Sequence, residues 1–234
     1  MDANETYQLV KDHYGAYAKR YDTELSLEHS QKVAQAFGYT LDELASIPDG
    51  ANLGASCGNP LATAKLEKGE VAIDLGSGAG FDVFLAANKV GPDGRAIGVD
   101  MSKGMLELAR KNMEKSKALN VSFVEASITS IPLPSAIADC ITSNCVINLV
   151  PDIDKPMVFH EMFRLLKPGG RVAVSDIVAK CELPADIKRN MALYVGCIAG
   201  ASNVGDYERY LKEAGFEGGS FLKPAVWPKL TQHR

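Results

Sequence analysis

From Val71 onward, short apolar runs alternate with amphipathic segments, and this alternation restricts the chain to a parallel sheet crossed by helices. Strands are expected at VAIDL (71–75), RAIGV (95–99), VSFVE (121–125), ADCITS (138–143) and RVAVSDI (171–177), with helices between them. One helix starts at Ser102, a good N-cap, and its spacing would bury Met105, Leu106, Ala109 and Met113. Another begins near Asp154 with Pro156 in its first turn. It would bury Met157, Met162, Phe163 and Leu166 and stop at Lys167-Pro168-Gly169-Gly170. The fold class expected is α/β, a doubly wound, mostly parallel sheet.

The first 65 residues read differently. They are polar and punctuated, with helical patches at YQLVKDHYGAYAKRYD and SQKVAQAF and a glycine-rich stretch, ANLGASCGNP, so they suit a helical amino-terminal cap. A length of 234 residues allows one such domain with a full core and a small appendage. A net charge of −4 offers no basic stripe for a phosphate backbone, so nucleic acid is not an expected partner. No apolar run reaches the roughly 18 residues of a membrane span, and MDANETYQLVKDHYG has no signal-peptide core. A membrane is therefore not an expected partner, and a cytoplasmic location is expected.

The cysteines Cys57, Cys140, Cys145, Cys181 and Cys197 form an odd set without C-x-x-C spacing. Neither a disulfide framework nor a zinc ribbon is indicated, and in a reducing compartment all should be thiols. Cys140, inside the fourth strand, and Cys181 read as small buried hydrophobes.

The most specific local pattern follows the first strand, in Asp74-Leu75-Gly76-Ser77-Gly78-Ala79-Gly80-Phe81. Phe81 stands where the dinucleotide fingerprint G-x-G-x-x-G requires its third glycine, which disfavours a nicotinamide cofactor. The glycines let the backbone approach a ligand closely, and Asp74 at the strand tip can face an amino group. Twenty residues after Gly80, Asp100 ends the second strand, where a carboxylate can accept both hydroxyls of a ribose.

D-x-G-x-G-x-G with an acid ending the second strand resembles the S-adenosylmethionine-dependent methyltransferases of the Rossmann-like class. The resemblance implies that Gly76, Ser77 and Gly78 line the methionine and ribose portion and that Asp100 holds the ribose. Met101 would pack on adenine, with Ser127 and Ile128 at its edge. Many relatives carry an acid at the position of Ser127. The ligand crevice of such a fold lies beyond the carboxyl ends of the strands, so Cys145, which follows the fourth strand, should face it, and Asn144 before it is expected to bind the cofactor.

Methyl transfer from a sulfonium is an in-line displacement, so the acceptor must be held on the far side of the methyl. Cysteine suits a soft, thiophilic acceptor. Cys57, in a loop freed by Gly54 and Gly58, and Cys197, on an expected helix in YVGCIAGA, could reach the same crevice, although each alone reads as a packing thiol. Together GASCGNP, DLGSGAGFD, GVDMS, SNCVINL, LKPGG, VSDIV and GCIAGA resemble the arsenite methyltransferases, from about Tyr39 to Phe216.

That resemblance implies Cys57, Cys145 and Cys197 as arsenic ligands, with Tyr14 and Gly15 near the cofactor. It also implies arsenite and methylarsenite as substrates, S-adenosylhomocysteine as product, an external thiol reductant such as glutathione or thioredoxin, and a monomer. Residues 1–234 would form one methyltransferase domain. Within it, 1–65 are the cap, 66–180 the cofactor-binding core, and 181–234 the substrate-side helices and carboxyl-terminal segment. Two departures stand out. Residues 1–56 hold no cysteine, where relatives commonly carry one or a pair, and FLKPAVWPKLTQHR follows a possible sixth strand as a truncated or irregular terminus. The rival functions are a methyltransferase of a small organic acceptor such as a quinone or sterol, and a thiol-based metalloid sensor on the same fold.

Overall fold

The computed structural model describes residues 2–20 and 27–218. The apolar runs form β1 (Val71–Leu75), β2 (Arg95–Asp100), β3 (Val121–Glu125), β4 (Ala138–Asn144) and β5 (Leu166–Ser175). They lie in one all-parallel sheet of order β3-β2-β1-β4-β5. β1 is central and buried on both faces, which is why its sequence is nearly continuous in apolar residues. One face packs Phe84, Leu85 and Val90 of α5 (Phe81–Val90), and the other packs Val158, Phe159, Met162 and Leu165 of α7 (Lys155–Leu165).

The cap comprises α1 (Ala3–Arg20), α2 (Leu27–Ala36), α3 (Leu41–Ala45) and α4 (Leu61–Ala64). Between β2 and β3 runs α6 (Lys103–Ser116), whose N-cap Ser102 accepts from the Met105 amide at 3.5 Å. Past β5 come the short α8 (Ala185–Lys188) and α9 (Met191–Val195), then α10 (Val204–Ala214), which packs on α7. α1 crosses α6 where Gly15 meets Gly104. A Cβ on Gly104 would stand 3.3 Å from the Gly15 carbonyl, so the glycine pair sets how closely these helices approach.

Several expectations are corrected. Met157 and Phe163 are 50% and 47% exposed, because the buried stripe of α7 runs through Lys155, Val158, Phe159, Met162 and Leu165. The phase is fixed by Lys155, whose buried ammonium donates to Asp152, Ser202 and the Gly200 carbonyl. On α6, Met113 is half-buried and Asn112 takes the inner place, donating to the Ala79 carbonyl at 3.1 Å. β5 spans 166–175 and not 171–177. Cys140 is fully buried as expected, whereas Cys181 is exposed. Residues 219–234, with FLKPAVWPKLTQHR, lie outside the described residues. Among the described residues, no helix is long and apolar enough to cross a membrane.

Candidate active site

The sheet's connections reverse direction between β1 and β4, and a crevice opens beyond their carboxyl ends. The glycine loop forms its floor. Gly76 and Ser77 both donate their amides to the Val99 carbonyl, at 2.8 and 3.0 Å, tying the loop to β2. Gly76 has φ +68°, and a Cβ there would fall inside the Val146 side chain. Gly78, at φ +52°, has only Met105 Sδ near its missing Cβ, at 4.0 Å, so its backbone faces open space. Asp100 accepts from the Gly78 amide and, through its other oxygen, from the Ser102 amide, each at 2.8 Å.

Tyr14, Asp74, Gly76, Ser77, Gly78, Asp100, Met101, Ser127, Ile128 and Asn144 all line this crevice, and Cys145 joins them. Ser127 turns its hydroxyl to Thr129, 2.7 Å away. The crevice also holds Asp82, which sequence reasoning missed although an acid in the first turn of the helix after a glycine loop was a visible signal. Tyr39 donates to Asp82 at 2.6 Å and Asn144 at 3.0 Å. Burial still pushes the Asp82 carboxyl up to about 6. Asp74 accepts from Thr142 at 2.8 Å, yet burial and then the nearby charge of Asp82 hold it well above the usual carboxylate range. Burial also raises Asp100.

At the end of β4 the thiols meet. Cys57 and Cys145, 88 residues apart, form a disulfide with Cα atoms 5.7 Å apart, which corrects the expectation of free thiols. No spacing in the sequence signals this pairing, because it depends on how the cap loop seats on the sheet. A carboxylate oxygen of Asp176 lies with both sulfurs inside a 4.8 Å cluster, a neighbour the sequence reading left unused within VSDIV. Asp176 accepts from Tyr207 and from the Asn148 side chain, at 3.0 and 2.9 Å, and burial raises it to about 6.

Cys197 is placed differently. α9 ends at Val195 and Gly196 caps it, so Cys197 sits in the following turn and not on a helix. Its sulfur donates to the Cys145 carbonyl at 2.8 Å, and burial followed by the charge of Asp176 pushes the thiol up to about 12. Two of the three expected arsenic ligands are thus bonded to each other, and the third packs behind the Cys145 backbone.

Residues 66–215 match a family model described as a methyltransferase domain. The chain belongs to this methyltransferase family. It is 43% identical over 230 residues to the arsenite methyltransferase of Halobacterium salinarum, which covers 92% of this chain and 58% of that protein. The arsenite methyltransferase of Mus musculus is 33% identical, covering 92% and 59%. A crystal structure of an arsenic(III) S-adenosylmethionine methyltransferase from Chlamydomonas reinhardtii superposes with a TM-score of 0.62 at 31% identity, covering 78% of this chain and 61% of that one. The chain therefore spans about three fifths of the length of these relatives.

In this methyltransferase the turn carrying Cys197 is tied down at both ends. Asn148 donates to its carbonyl at 3.3 Å, Tyr14 donates to the Val195 carbonyl at 3.1 Å, and Lys155 holds Gly200 and Ser202. Cys57 instead rides on a loop without helix or strand between α3 and α4.

Proposed function

We propose that this methyltransferase moves the methyl group of S-adenosylmethionine to trivalent arsenic held by cysteine sulfur, accepting arsenite and methylarsenite. The observation behind it is the meeting of Cys57 and Cys145 at the end of β4, with Cys145 on the crevice wall. Paired sulfur donors suit a soft, thiophilic acceptor.

The crevice suits the cofactor where the Gly78 backbone is open to close approach. Asp100, already aimed by two backbone amides, would accept the ribose hydroxyls. Met101, Ser127 and Ile128 would flank adenine, and Asp74 with Asp82 would draw the cationic amino group. When bound, the cofactor supplies an electrophilic sulfonium methyl and leaves as S-adenosylhomocysteine. In this scheme the described residues up to 65 cap the crevice, 66–180 hold the cofactor and 181–218 complete the thiol side.

The chain's own part is to hold the acceptor in line. Each thiol that replaces a hydroxyl of arsenite gives up its proton to that hydroxyl, which departs as water as an As–S bond replaces an As–O bond. With sulfur from Cys145 on one side, the arsenic lone pair is left to face the methyl. Forming As–C with that pair raises arsenic to the pentavalent level. Two thiols supply the two electrons that restore it, becoming a disulfide, and an external thiol such as glutathione or thioredoxin reopens it.

The test is to incubate the reduced protein with S-adenosylmethionine, arsenite and a thiol and to separate the arsenic species by chromatography with mass detection. Methylated arsenic that disappears when Cys57, Cys145 and Cys197 are all serine is the expected result. Methylation of a quinone or sterol that survives their loss would reject the proposal.

A further inference from the structure

Asn144, the last residue of β4, has its amide fully engaged by protein groups although it borders the crevice. Nδ2 donates to Asp82 Oδ2 at 3.0 Å, to the Gly58 carbonyl at 3.0 Å and to the Tyr39 hydroxyl at 3.2 Å. Oδ1 accepts from the Cys57 amide at 3.3 Å. One side chain thus grips the Cys57 loop at two successive residues and fastens it to the start of α5. A second contact seats the same loop: a Cβ on Gly58 would stand 2.6 Å from Ser175 Cβ, so the loop lies flush on the end of β5. The Cys57 sulfur, 3.8 Å from the Ser175 carbonyl, is thereby presented to Cys145, the residue that follows Asn144.

We propose that Asn144 is a positioning residue that seats the Cys57 loop on the sheet, and so sets how strongly Cys57 and Cys145 act as a pair toward one thiophilic atom. For arsenic this role presupposes the function proposed above, but the pairing of the two sulfurs can be read without arsenic. An amide is required because the loop offers a carbonyl and an N–H together, which one side chain must meet with a donor and an acceptor at once. Gly58 is required because any side chain there would lift the loop off Ser175.

The experiment equilibrates the full chain with glutathione redox buffers and quantifies the Cys57–Cys145 bridge by alkylation and peptide mass spectrometry. Wild type is compared with Asn144→Ala, Gly58→Ala and Tyr39→Phe. The last removes one hydroxyl, which accepts from Asn144 and donates to Asp82, and keeps the test available should truncation of Asn144 unfold the chain. Thermal unfolding verifies that each variant is folded, and calorimetry follows S-adenosylmethionine affinity alongside. Loss of one or two hydrogen bonds to the loop should lower the bridge constant roughly tenfold in Asn144→Ala, and by less in Tyr39→Phe. Gly58→Ala should fall similarly, hydrogen exchange over residues 51–60 should quicken, and arsenite half-saturation should rise while cofactor affinity changes less. Folded variants with wild-type bridge constants would overturn the role, as would an Asn144→Ala chain that loses cofactor affinity as steeply as bridging. A wild type that methylates no arsenic, with bridging still weakened in the variants, would overturn the proposed function and leave the positioning role standing.

Discussion

The thiol of Cys197 donates to the backbone carbonyl of Cys145 at 2.8 Å, and both cysteines stand at left-handed φ, +62° and +61°. An L-residue with a Cβ pays about 1–2 kcal/mol for that conformation, so the surrounding packing must over-determine it. The consequence is a pair of backbone-fixed cysteines, of which Cys145 reaches Cys57 on the loop while Cys197 lies behind the Cys145 backbone.

Reactivity should follow this arrangement. In the fully reduced protein Cys181 is exposed, whereas burial and the charge of Asp176 push the Cys197 thiol up to about 12. Iodoacetamide at mildly alkaline pH should therefore modify Cys181 well before Cys197, because only the thiolate reacts. Timed peptide mapping reads the order, and equal rates would contradict the burial of Cys197.

Asp100 offers a cleaner separation of cofactor from acceptor. Its carboxylate accepts from the Gly78 and Ser102 amides at the glycine-loop end of the crevice. Asp100→Ala should weaken S-adenosylmethionine binding by about 1.5–3 kcal/mol, roughly 10- to 150-fold, and leave arsenite binding nearly unchanged. Calorimetry with each ligand separately checks both halves.

Two glycines at similar φ should behave unlike each other when replaced by alanine. At Gly69, with φ +84°, a Cβ would meet no described atom within 4 Å, so Gly69→Ala should cost only the backbone strain, about 1–2 kcal/mol. Gly76 adds a collision with Val146, and overpacking typically costs a further ~1–3 kcal/mol. Urea unfolding of both variants measures the difference, and equal losses would mean that Val146 yields freely.

The sheet was legible because periodicity is local: β1 matches its expected span to the residue, and β2 and β4 run one residue longer. The phase of α7 was not, since it depends on where the Lys155 ammonium finds the Gly200 carbonyl and Ser202, more than 40 residues on. The same limit separates the parts of the site. The crevice residues follow from strand ends and a glycine loop, which a linear pattern records. The Cys57–Cys145 pairing, the closeness of Asp176 and the grip of Asn144 on Gly58 arise only where the cap loop meets β4 and β5, and no spacing encodes that meeting.

The buried acids make the stability of the ligand-free protein depend on pH in a set direction. Asp82 titrates at about 6 when folded against an ordinary 3.8, so between those values the folded protein holds a proton that the unfolded chain has released. This contribution is fully present below the unfolded value and is lost as pH rises through about 6. Asp82→Asn removes this titration together with the charge that helps hold Asp74 up. The stability of wild type relative to this variant should fall from pH 4.5 to pH 7 with a slope of at most about 1.4 kcal/mol per pH unit. Urea titrations at several pH values test it, and a flat difference would place the Asp82 carboxyl near its ordinary value.

Under the proposed function the three sulfurs take unequal roles, by valence and by the geometry at Cys145. Arsenite has three replaceable hydroxyls, but after one methyl is attached only two positions remain for sulfur, so one cysteine must let go. Cys145 closes the end of β4 and Cys197 is hydrogen-bonded to its carbonyl, while Cys57 belongs to a loop without helix or strand, seated beside Cys57 by the Asn144 side chain and the Gly58 contact with Ser175. Releasing Cys57 disturbs the least structure. Cys57→Ser should therefore abolish methylation of arsenite and spare that of monomethylarsenite, whereas Cys145→Ser or Cys197→Ser should abolish both. Assaying each variant with each substrate, in thiol reductant to open the Cys57–Cys145 bridge, decides the matter. A Cys145→Ser enzyme that still methylates monomethylarsenite would remove Cys145 from the acceptor site and with it the reason for a cysteine at the end of β4.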